Sequence, residues 1–313
     1  MSRENRIIKN AVVTGPTGVL GTALVKKLSE SGVETFAVCR PQSTRIGRIV
    51  KNDNVHIVEC DVNDIKSLAD KIGHEVDAFY HLAWQGTNNR ANRFDMYLQN
   101  ENVKCTLDAV ESAHMMNCNV FVGAGSQAEY GCDGVLGSDT PCIPVSGYGM
   151  AKLCAGQMTR VICREYGMVH IWPRILSVYG ENDGAGTLIS TVINSLLEGE
   201  TPELTKCEQV WDYLFSDDAA EAFMQMAEAG RDGAVYTLGS GKTKTLKDYV
   251  NIIRNIINPN AEIKFGAREY NRDQVMHLEA DTSILEKDTG WFARTEFEQG
   301  IKSIIFRNKY LNV

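Results

Sequence analysis

The chain has 313 residues, with 32 Lys and Arg against 40 Asp and Glu and a formal net charge of −8. That length can bury a large core and hold a cofactor. The acidic balance, with no cluster of Lys or Arg, argues against nucleic acid as a partner, because a phosphate-tracking surface needs concentrated cations. Apolar runs are strand-length and the opening MSRENRIIKN is too charged for a leader, so no membrane partner and a cytoplasmic location are expected.

The first half alternates β-branched runs with longer amphipathic ones. NAVVTG (10–15) reads as a strand, GTALVKKLSES (21–31) as a helix, and VETFAVC (33–39) and VHIVEC (55–60) as strands. VDAFYHLAW (76–84) reads as the next strand, residues 95–116 as a long helix, and NVFVGAG (119–125) as a further strand. A helix bearing Tyr148 and the strand VHIWPRIL (169–176) follow. Continuous apolar strands separated by helices predict an α/β fold with a doubly wound parallel sheet covered on both faces.

Beyond about residue 178 the rhythm loosens into helical patterns near 186–199, 216–229, 245–257 and 295–308, with short strands at 234–239 and 261–265. The expected organisation is a dinucleotide-binding domain over 1–178 and a smaller, interleaved substrate domain over 179–313. A segment near 209–240 is expected to return to the first domain. A cleft between the two would take a small molecule. The nine cysteines form an odd set with no C-x-x-C pair and no His/Cys cluster, which predicts free thiols and no metal.

The turn VVTGPTGVLG sets Gly15, Gly18 and Gly21 between the first strand and first helix. Gly15 permits the tight turn, Gly18 lets backbone approach a pyrophosphate, and Gly21 lets helix pack on strand. With Thr17, Val19 and Leu20 they form a candidate dinucleotide site at a helix N-terminus. The second strand ends at Cys39, where a carboxylate for a ribose 2′-hydroxyl is common, and Arg40 follows. A guanidinium suits a 2′-phosphate, so NADP(H) is expected over NAD(H).

Tyr148 and Lys152 in SGYGMAKL are four apart, hence on one helix face. A phenol is a poor base at neutral pH, and an adjacent ammonium favours phenolate and makes proton exchange feasible. Ser126, in GAGSQAEYG at the end of a predicted strand, offers a hydroxyl on the sheet edge where ligands bind.

The motifs TGPTGVLG, HLAW, ENVKCT, GSQAEYG, YGMAK, PRILSVYG and WDYLFSDDAAEAF occur in order along nearly the whole chain. Together they resemble the extended short-chain dehydrogenase/reductases, in particular their nucleotide-sugar epimerase, dehydratase and reductase group. The resemblance implies Ser126, Tyr148 and Lys152 as catalytic residues. It also implies Asp61 and Val62 near an adenine, His81, Leu82 and Ala83 along the cofactor, and Asn102 as a supporting polar group.

Within that group the 4,6-dehydratases carry adjacent Asp and Glu after the Ser or Thr, whereas this chain has Gln127 and Ala128, with Glu129 one place late. A dehydratase is therefore not expected. What remains is NADPH-dependent reduction of a 4-keto group on a nucleotide-activated sugar, with an NAD-dependent 4-epimerase or a non-catalytic cofactor sensor as alternatives. The resemblance implies a phosphate-holding Asn where Ser177 stands and a clamping Arg where Trp211 stands. Arg268 or Arg272 could supply the missing cation. Trp84, in the polar loop 83–94, and Gln127 are further expected substrate contacts. Family members often dimerise through a four-helix bundle, so a homodimer is expected.

Overall fold

The structure is a computed structural model that describes residues 5–87, 89–271 and 274–311. Its main sheet is parallel throughout. Strands β1 (Asn10–Thr14), β2 (Glu34–Cys39), β3 (Val55–Glu59), β4 (Ala78–His81) and β5 (Val120–Gly123) are joined by Val169–Ile175 and Ala234–Leu238. The spatial order is Ala234–Leu238, Val169–Ile175, β5, β4, β1, β2, β3, so the order reverses between β1 and β4. A ligand in such a sheet binds at that reversal, beyond the strands' carboxyl ends.

The continuous apolar strands have a direct explanation in the pleat. Ala11 and Val13, Ala78 and Tyr80, and Val120 and Val122 face one core, while Val12, Phe79 and Phe121 face the other. Side chains alternate across a strand, and here both sides are dry. The helices Val19–Glu30 and Ser216–Ala229 cover one face. Met96–Met115 and Gly147–Glu165 pack together against the other. The doubly wound α/β architecture read from the sequence is the one observed.

A second, mixed sheet runs Thr243–Thr245, Val210–Phe215, His277–Ala280, Gly134–Leu136, with Ser177–Tyr179 beside Val210–Phe215. It shares a core with the helices Leu188–Leu197, Leu246–Ile257 and Phe297–Leu311, centred on Tyr179, Tyr213, Tyr249 and Phe297. The chain crosses the division near residue 178 in both directions. Gly134–Leu136 from the first part serves the smaller sheet, and Ala234–Leu238 from the second completes the larger one. Within 209–240, Val210–Phe215 lies in the smaller sheet and the rest returns to the larger. The strand expected over 261–265 shortens to Lys264–Phe265.

Candidate active site

The glycine turn behaves as its three positions require. Gly15 has φ +69°, and a Cβ there would lie 2.9 Å from the Ala83 nitrogen, so the turn rests on the backbone that follows β4. At Gly21 a Cβ would lie 2.1 Å from the Gly15 carbonyl oxygen; no side chain fits. Gly18, the N-cap of the first helix, faces open space, with no atom nearer than 3.8 Å to a Cβ built there. That combination of closed glycines around an open one has the cradle shape a pyrophosphate would need, with Thr17, Val19 and Leu20 beside it at the helix N-terminus. The residues present fit a nicotinamide dinucleotide.

Thr14 ties the adjoining loop down. Its Oγ1 accepts hydrogen bonds from the Leu82 and Ala83 nitrogens at 3.1 and 3.2 Å. Asn102, buried on the long helix, accepts from the Gln85 nitrogen at 2.8 Å and donates to the Gln85 and Leu98 carbonyls. It therefore braces the loop from behind. His81 is likewise interior: it pairs with Thr14 at 3.0 Å, and burial pulls its pKa down to about 3. The ring expected along the cofactor is instead a neutral buried post.

At the far end, Asp61 caps the short helical stretch that starts at Val62 by accepting from the Asn63 nitrogen at 2.9 Å. Arg40 is exposed immediately after β2. Arg48 reaches back to the Thr17 carbonyl at 3.4 Å. Glu59 stands in register with Cys39 on the neighbouring strand, so an acid does lie beside the end of β2, contributed across the sheet rather than along the chain.

Tyr148 is brought to Ser126 by small residues on its helix. Ser146 caps the helix by accepting from the Gly149 nitrogen at 3.2 Å. A Cβ at Gly149 would lie 2.2 Å from the Ala128 carbonyl, so only glycine lets the helix seat against the 126–129 loop. Burial pushes the Tyr148 phenol up, while the neighbouring Ser126 hydroxyl and the charge of Arg93 favour the phenolate and Glu129 opposes it. Lys152 is 4% exposed and donates to the Ala124 carbonyl at 2.7 Å. Its ammonium lies 3.7 Å from the centre of the Trp84 ring, and burial pulls it down to about 7. Trp84 meets Tyr148 edge-on at 6.1 Å and donates to Gln99 at 2.8 Å.

Glu129, fully buried, accepts from the Ser126 nitrogen at 2.8 Å, from Trp172 Nε1 at 3.0 Å and from Arg174 Nε at 2.9 Å. Its three hydrogen bonds shape the Ser126 loop and neutralise Arg174. Gln127, half-buried beside it, is uncharged. The two departures on the substrate side belong together: Trp211 Nε1 donates to Ser177 Oγ at 2.7 Å across paired strands. Asp212, next to Trp211, is buried and accepts from the Ser240, Gly241 and Ala280 nitrogens. It staples that strand to the loop holding Ser240 and Gly241 and to the end of the strand His277–Ala280. Arg268 is exposed, and Arg272 lies outside the described residues.

Arg93, Glu129 with Arg174, and the Trp84 seat for Lys152 could not be read from spacing. Arg93 belongs to a short polar stretch with no periodic signal in the sequence, and the Glu129 partner is 45 residues away. All nine cysteines are free thiols. No group of His, Cys, Asp and Glu among the described residues could hold a metal, and no helix among them is long and apolar enough to cross a membrane.

A model of the NAD dependent epimerase/dehydratase family matches residues 11–239. The chain is 25% identical over 306 residues to the CDP-abequose synthase of Salmonella muenchen, covering 95% of this chain and 97% of that protein. It is 25% identical over 334 residues to the dTDP-glucose 4,6-dehydratase of Neisseria gonorrhoeae, covering 95% and 94%. Its fold superposes on the UDP-glucose 4-epimerase of Thermotoga maritima, solved with UDP-glucose, with TM-score 0.86 and 22% identity over 96% of this chain and 99% of that one. With the cradle and the Ser126, Tyr148 and Lys152 constellation in place, the chain belongs to the NAD dependent epimerase/dehydratase family, within the extended short-chain dehydrogenase/reductases, and is an NAD(P)-dependent enzyme of that type.

Proposed function

We propose that the protein is a cytoplasmic NADPH-dependent reductase of a 4-keto group on a nucleotide-activated deoxysugar. The observation that carries this reading is the burial of Glu129 in three hydrogen bonds. Ser126, Tyr148 and Lys152 stand together, and the carboxylate that could have served water elimination is locked to Arg174, Trp172 and the Ser126 backbone. Proton exchange at an oxygen is supported; dehydration is not. The CDP-abequose synthase likeness supports a nucleotide-activated sugar as the substrate class.

The nicotinamide, when bound, supplies hydride to the carbonyl carbon. Gly15, Thr17, Gly18, Val19, Leu20 and Gly21 hold the pyrophosphate, Asp61 and Val62 border the adenine, and Leu82 and Ala83 line the dinucleotide. Ser126 orients the substrate oxygen and Tyr148 delivers a proton to it, while Lys152 leaves the Ala124 carbonyl to hold the ribose. Gln127, Ser177 and Trp211 face the sugar nucleotide. Arg40 and Arg48 favour a ribose 2′-phosphate. Methionines 150 and 158 and Val161, exposed along one face of the tyrosine helix, support a homodimer through that helix.

The test is to mix the protein and NADPH with a panel of nucleotide 4-keto-6-deoxysugars and follow loss of reduced nicotinamide, with Tyr148→Phe as control. Turnover that vanishes in that variant while NADPH still binds is expected. A second reading, an NAD-dependent 4-epimerase, is favoured by Glu59, whose carboxylate beside Cys39 suits a ribose 2′-hydroxyl. Epimer formation from ordinary nucleotide hexoses without net cofactor consumption would select it. Cofactor binding with neither activity would leave a sensor.

A further inference from the structure

We infer that Arg93 is a positioning residue of the proton-transfer site, its guanidinium held over the Tyr148 ring so that it stabilises the phenolate while Lys152 is drawn toward Trp84. The inference rests on Tyr148 being the acid/base proposed above.

The geometry begins with Lys152. Its ammonium donates to the Ala124 carbonyl at 2.7 Å and sits 3.7 Å from the Trp84 ring centre, but 5.9 Å from that of Tyr148. The cation expected from sequence to tune the tyrosine is thus committed elsewhere. Arg93, on the short helix Arg90–Phe94, lies nearer, its guanidinium carbon 4.7 Å from the Tyr148 ring centre. No described carboxylate pairs with it. The short helix is pinned at both ends. Asn89 accepts from the Ala91 nitrogen, and Gln99, itself bound to Trp84, donates to the Asn92 carbonyl at 2.9 Å. A Cβ at Gly147 would lie 3.2 Å from the Arg93 carbonyl, so the helix is packed against the start of the tyrosine helix.

The groups facing Tyr148 are few: Lys152 on its own helix, Arg93, the Trp84 edge, and Ser126 and Glu129 on the strand-end loop. Glu129 opposes the phenolate, but its charge is met by Arg174 at 2.9 Å. Lys152, pulled down to about 7 by burial, is not fully charged at neutral pH. A guanidinium never loses its charge in this range. Arg93 therefore supplies the permanent positive field, and a cation over an aromatic face is attracted more strongly as the ring gains negative charge.

The experiment labels tyrosine at Cζ with carbon-13 and titrates Tyr148 by NMR in the full chain, its resonance assigned by loss in Tyr148→Phe. Arg93→Met should raise the Tyr148 pKa by about one unit, and Arg93→Lys should restore most of that shift. The Tyr148-dependent limb of the pH–rate profile should move upward by the same amount, in either direction of reaction. An unchanged titration in Arg93→Met, with only KM altered, would make Arg93 a substrate contact and overturn the inference. An unchanged titration with only lower stability would make it structural. Since the NMR titration needs no substrate, it stands apart from the reductase reading, which fails separately if Tyr148→Phe remains active.

Discussion

Removing the charge of Glu129 gives the sharpest stability test. Its carboxylate has no solvent exposure and takes three donors, while Arg174 is 5% exposed. Truncation to Ala strands a buried guanidinium, at about 3–5 kcal/mol, and leaves the Ser126 and Trp172 N–H groups without acceptors, at about 1–3 kcal/mol each. That sum rivals the entire stability of a domain, roughly 5–15 kcal/mol, so Glu129→Ala should fail to fold. Glu129→Gln is the informative variant. Its amide oxygen keeps at most two of the donors, its NH2 must face the third, and the charge assistance disappears, at about 2–3 kcal/mol. Arg174→Met leaves the carboxylate buried with neutral donors, at about 3 kcal/mol. With both charges gone the double variant should cost about 2 kcal/mol less than the sum. Urea unfolding at constant m measures all three. Additive costs within about 0.5 kcal/mol, or a Gln variant of nearly full stability, would refute the coupled-pair account. A Gln variant with full stability but no turnover would return Glu129 to a chemical role.

Two further outcomes concern the glycine turn and Lys152. Gly21→Ala pushes a Cβ into the Gly15 carbonyl and should destabilise by about 1–3 kcal/mol, whereas Gly18→Ala enters open space. The latter should keep its melting temperature and lose dinucleotide affinity; equal melting losses would contradict the cradle geometry. For Lys152, burial sets the free pKa at about 7, and a bound anionic dinucleotide favours the ammonium and raises it. Above pH 7 binding should take up a proton, and affinity should fall as pH rises. Calorimetry in buffers of different ionisation enthalpy reads that uptake, and its persistence in Lys152→Met would refute the assignment.

The alternation of apolar runs with helical patterns sufficed for the parallel sheet, since residues such as Val12 and Val13 must both be apolar when each faces a separate core. The glycine turn and the Tyr148/Lys152 spacing were equally legible, because each requirement falls within one local segment. What the spacing could not tell was where Lys152 points. Its ammonium turns to Trp84, a residue from another strand end, so helix periodicity alone places it too close to Tyr148. His81 shows the converse: a motif position beside the cofactor loop whose ring faces inward, onto Thr14.

Sequence by itself determined the fold class and the glycine turn between the first strand and first helix, and it named Ser126, Tyr148 and Lys152 as candidates, because short-range backbone geometry and hydrophobic periodicity are written in neighbouring positions. Tertiary structure alone decided that Glu129 belongs to Arg174, that Ser177 and Trp211 form one pair, that Glu59 stands beside Cys39, and that Arg93 reaches Tyr148. Each of these joins segments that only the closing of sheet and helices brings within a few ångströms, the distance at which hydrogen bonds and ring contacts form.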